Sequence, residues 1–184
     1  MRGAFLIGIA VLGVQIFAPV QARAADHLDC ALNLVDDSVS HKVFSSYRAG
    51  KNLGDALMSV KGTEMTACRA VNGWTSQSYN SALRVVFGEI LSKGSGRDLN
   101  AMGVPVDRLR SSIETFLYNL SPDEQKMAAD GDISDDLVAP LLLQLEHDMV
   151  IVLDALDEKK SAEIGGYLSA RANAVYFRAM FATQ

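Results

Sequence analysis

The sequence predicts an all-α fold, a single-domain bundle of about six helices behind a cleaved export signal. Three observations predict it. Apolar residues recur at three- and four-residue steps along most of the chain after residue 25. Cap and stop residues separate these segments at helix-sized intervals. No stretch alternates apolar and polar residues as a half-buried strand does.

The chain begins Met1-Arg2, and Gly3 to Phe17 is apolar except for Gln15. Ala22-Arg23-Ala24 then supplies a small-x-small site. A positive start, a short apolar run and such a site predict a signal peptide over residues 1–24. A membrane span needs about 20 apolar residues. Gln15, Pro19, Gln21 and Arg23 interrupt this run, so no membrane insertion is expected after cleavage. Residues 25–184 remain as the helical domain. Losing Arg2 and Arg23 leaves 15 Lys+Arg against 22 Asp+Glu, a net charge of −7. A domain this acidic has no basic footprint for nucleic acid. The expected compartment is a bacterial periplasm, with secretion beyond it as the alternative.

The first helix is expected over about 26–47, with Leu28, Leu32, Val35, Val39 and Val43 on one stripe. Gly50 stops it and Asn52 caps the second helix, which runs to Asn72-Gly73. If the two form an antiparallel hairpin (26–72) folded at Ala49, facing residues sum to about 98. Cys30 and Cys68 do so. An even cysteine pair in an exported protein predicts a disulfide, and this spacing places it at the open end of the hairpin.

The remaining helices are expected within 74–184. The third starts at Thr75 or Ser76 and stops at Ser92-Lys93-Gly94-Ser95-Gly96, which opens a loop through Pro105. The fourth runs from Val106 to Leu120. Ser121-Pro122-Asp123-Glu124 reads as a capping box that starts a short helix ending near Gly131. Ser134 to Leu156 reads as the central helix, with Leu141, Leu145, Met149 and Val152 on its apolar stripe, apolar on most of its circumference, with a kink or restart at Pro140. The last helix follows the polar corner Asp157 to Lys160.

Chemistry is sparse. Asp130 to Asp136 superficially resembles a calcium loop, but Asp135 and Leu141 stand where such a loop needs glycine and glutamate. No metal site or cofactor is expected. Glu64 falls on the apolar side of the second helix if that helix is continuous. Buried there, its raised pKa would suit a general acid for a cell-wall hydrolase, with Glu89 or Glu114 as second acid. A break at Lys61-Gly62 would instead put Glu64 in an exposed first turn. Trp74, His147, Ile151, Tyr176 and Phe177 are the candidates for contact with a partner. The expected function is therefore a non-catalytic partner-binding protein of the bacterial periplasm, with its protein partner in the cell envelope: an inhibitor, an immunity protein or an accessory subunit. A homodimer is one way of covering the surplus apolar surface. The alternatives are the Glu64 hydrolase and a periplasmic chaperone.

Overall fold

A computed structural model describes residues 27–184. The expected signal peptide lies outside the described residues. Among those residues there are eight α-helices and one 3-10 turn, and no strand. No described helix is long and apolar enough to cross a membrane.

Two helices stand where one was expected at the start: α1 (Leu28–Leu32) and α2 (Asp37–Arg48). Asp36 causes the break. Its side chain accepts a hydrogen bond from the Val39 N–H at 2.8 Å and starts a new helix there. Then α3 (Leu53–Val71) begins at Asn52, whose side chain accepts from the N–H groups of Gly54 and Asp55. Cys30 and Cys68 are bonded, with Cα atoms 5.8 Å apart. The stapled hairpin is present, with one break in its first arm.

The largest departure is α4 (Ser76–Ala101). The expected loop from Lys93 to Pro105 does not exist as such. Lys93 to Gly96 are helical, and Gly94, Ser95 and Gly96 are buried. Small residues here make room for neighbours. A Cβ on Gly88 would lie 2.6 Å from the Ala170 carbonyl oxygen and 2.7 Å from the Ala174 nitrogen. One on Gly94 would overlap the Phe44 ring. The glycine that ends α4 is Gly103, at φ +81°.

The rest of the chain forms α5 (Val106–Asn119), α6 (Pro122–Asp130), α7 (Asp135–His147) and α8 (Glu158–Ala182). Ser121 and Glu124 make the expected capping box, and the Asp157 side chain caps α8 by accepting from the Lys160 N–H. Pro140 lies inside α7, which runs through it without a restart. Both Pro140 and Asp136 are exposed, so water can serve the carbonyl that the missing N–H leaves free.

The molecule is built around α4 and α8, not around residues 134–156. These two long helices run antiparallel. Ser81 meets Gln184, Gly88 meets Ala170 and Ala174, and Gly96 meets Tyr167. One apolar cluster gathers α1, α2, α3 and the first half of α4 with Phe181. The other gathers α5, α6 and α7 with Leu99 and the first half of α8. Arg48 ties three helices together, donating to Asp98 at 3.0 Å and to Glu163 at 2.5–2.6 Å.

Candidate interaction site

The expected central helix ends at His147, nine residues before Leu156, and the way it ends creates the first candidate surface. Met149 adopts a left-handed conformation, φ +54°. The Val150 N–H donates to the Leu145 carbonyl at 2.9 Å and the Met149 N–H to the Glu146 carbonyl at 3.0 Å. This pair of bonds is the Schellman stop, and Leu145 and Val150 are both buried beneath it as the motif favours. The helices α2, α3, α4 and α6 end with the same paired bonds, and each has glycine at the left-handed position: Gly50, Gly73, Gly103 and Gly131. Only at Met149, among the described residues, does a side chain occupy it. That conformation costs a residue with a Cβ roughly 1–2 kcal/mol.

The turn carries Met149 and Val152 outward, 74% and 64% exposed, while Val150 and Ile151 turn inward. Met149 and Val152 flank a groove of about 450 Å³ whose walls include Met102, Val104, Ile151 and Leu156. The polar groups at its edge are Glu146 and Lys160.

A second, wider groove of about 890 Å³ lies between α2, α4 and the start of α5. Lys93 and Arg97 come from α4, Arg108 and Arg110 from α5, and His41 from α2. Arg97 stacks near the Phe44 ring, 6.0 Å from its centroid, and Arg110 Nε donates to the Tyr167 hydroxyl at 3.5 Å. The carboxylates of Asp37 and Asp107 share the walls.

The sequence candidates scatter. Trp74 is 7% exposed and packs edge-on against Phe181. Ile151 is buried but lines the apolar groove. His147 is exposed, with Nδ1 3.2 Å from an oxygen of the neighbouring Asp148. Tyr176 and Phe177 are half-buried and contact each other edge to face. Sequence reasoning placed Met149 on a buried stripe and missed the four groove cations altogether. No local signal marks either, because methionine is rare at a left-handed stop and the cations come from separate helices.

Glu64 does not occupy the buried setting a general acid needs. Lys61 departs from helical conformation at φ −135°, ψ 18°, which resets the phase of α3. The carboxylate is half-exposed and accepts from Lys61 Nζ at 3.1 Å. A backbone hydrogen bond, with help from Lys61, holds it below the usual glutamate range, the wrong direction for a proton donor near neutral pH.

Glu89 and Glu114 are both held on Arg171. Arg171 Nη1 donates to Glu89 at 3.2–3.3 Å and Nη2 to Glu114, while Arg178 adds a second contact to Glu89 at 3.3 Å. This cluster links α4 and α5 to α8. Arg171 has only 13% of its side chain exposed, so truncation leaves Glu89 partly desolvated and unpaired. Arg171→Met should cost about 1–2 kcal/mol in urea unfolding, since the carboxylates are partly wet. Arg171→Lys should recover only part of that, because an ammonium lacks the planar fork that spans two carboxylates.

Among the described residues, no group of three or more His, Cys, Asp or Glu side chains is placed to hold a metal ion. Comparison with protein-family models, curated proteins and solved structures finds no match to this chain.

Proposed function

We propose that this is a non-catalytic, protein-binding protein of the bacterial periplasm, of the inhibitor, immunity or accessory-subunit kind. Met149 carries the reading. Four other helices of the same chain stop with glycine, and this one holds an apolar side chain in a strained conformation, facing water, at the mouth of an apolar groove. Strain retained at a side chain that is 74% exposed favours a role outside the fold. An apolar side chain presented beside an apolar groove suits insertion into a partner, and methionine adapts well to a partner's contour. The Cys30–Cys68 bond fits an oxidising compartment outside the cytoplasm.

Met149→Gly separates binding from folding. The variant should be more stable than the parent by about 0.5–1 kcal/mol, because the strain relieved exceeds the entropy that glycine adds to the unfolded chain. Affinity cross-linking in an envelope extract should capture one stoichiometric protein with the parent chain. Capture by the variant should be weaker by about tenfold, equivalent to about 1.4 kcal/mol. Equal capture by both chains would remove the reading. Sedimentation that shows self-association abolished by Met149→Gly would assign the groove to a second copy instead.

A further inference from the structure

We propose that the groove between α2, α4 and α5 binds an acidic peptide segment of a protein partner. The proposal shares with the preceding section the premise of a protein partner, but it concerns a different surface and does not depend on Met149.

Charge is the first argument. Residues 25–184 carry seven more acidic than basic side chains, yet this groove is lined by four cations against two carboxylates. Asp37 is already engaged by Lys93 at 3.3 Å. Arg97 and Arg108 have no carboxylate within 4.0 Å among the described residues, although the protein has carboxylates in excess. Two guanidinium groups left without a carboxylate are donors for planar oxyanions, which they hold bidentately.

Size and composition choose among oxyanions. About 890 Å³ is far more than one phosphate or one free carboxylate fills. The walls also carry Asp37 and Asp107, which would repel a densely charged chain such as a polyphosphate. A peptide with a few spaced carboxylates meets the cations and avoids those two. Pro105 and Val106 supply apolar contact for its carbon atoms, and Asn100 an amide for its backbone. The expected effect on an otherwise acidic protein is local attraction and faster encounter.

The test uses residues 25–184 with the disulfide intact and fluorescein-labelled hexaglutamate as probe, by fluorescence anisotropy at low ionic strength. The parent should bind, and Arg97→Glu/Arg108→Glu should weaken binding by about tenfold or more. Lys51→Glu/Lys159→Glu makes the same charge change outside the groove and should weaken it by less than about twofold. Met149→Gly should leave it unchanged, so failure here and failure of the Met149 reading are told apart. Should the groove reversal not fold, amide shifts of the parent on adding hexaglutamate decide, and they should centre on Lys93, Arg97, Asn100 and Arg108. No binding by the parent, equal loss in both reversals, or shifts centred elsewhere overturns the proposal. So does displacement of the peptide by inorganic phosphate, or by phosphatidylglycerol vesicles, at matching charge concentration.

Discussion

Gly88→Ala should lower the unfolding free energy by about 3 kcal/mol, a fall in Tm of about 6–12 °C for a chain of this length. A single methyl group meets backbone on two sides, the Ala170 carbonyl oxygen at 2.6 Å and the Ala174 nitrogen at 2.7 Å. Neither belongs to a side chain that can rotate away. The new atom can be housed only by moving α8 off α4, and every contact along that pair then lengthens. Alanine's better helix propensity returns up to about 1 kcal/mol and does not reverse the sign. Gly165→Ala is the matched control. Nothing lies within 4 Å of its added Cβ, so the propensity gain stands alone and the variant should be more stable by about 0.5–1 kcal/mol. Thermal melts of the two variants beside the parent check both signs. A stable Gly88→Ala would mean that the two long helices do not touch as described.

Breaking the cross-link should cost more. Cys30 and Cys68 are 38 residues apart in sequence. On the chain-entropy model a closed loop of that size is worth about 4 kcal/mol at 25 °C. Cys30→Ala/Cys68→Ala should lose that amount in reversible denaturant unfolding, most of it through a more expanded unfolded state. Cys68 is buried and Cys30 half-buried, so the alanine pair also gives up a little packing. A loss under about 1 kcal/mol would show that the unfolded chain keeps the two segments close without the bond.

What could be read in the sequence was what short-range chemistry decides. Asn52, Thr75 and Ser121 each cap a helix through their own side chains, and each was visible as a start signal; Asp157 caps α8 from what read only as a polar corner. The hairpin and its cross-link followed from chain reversal at Ala49 and simple pairing. What depended on a distant partner was hidden. Gly94 and Gly96 have the composition of a stop, and they are helical only because Phe44, Val106 and Tyr167 fill the space above them. Met149 matched an apolar stripe, and the turn that frees it from that stripe is made by backbone bonds for which methionine gives no cue. Asp36 was a local signal overlooked, a cap sitting inside an apparently continuous pattern. The interaction surfaces were the least legible, since the basic groove assembles residues more than sixty positions apart from three helices.

The long antiparallel pair serves as a roof beam for both ends of the molecule at once. Neither apolar cluster closes without this pair: one takes the first half of α4 and Phe181 of α8, the other the first half of α8 and Leu99 of α4. Heat or denaturant therefore cannot empty one half and leave the other standing, and the chain should melt in a single step despite having two separate cores.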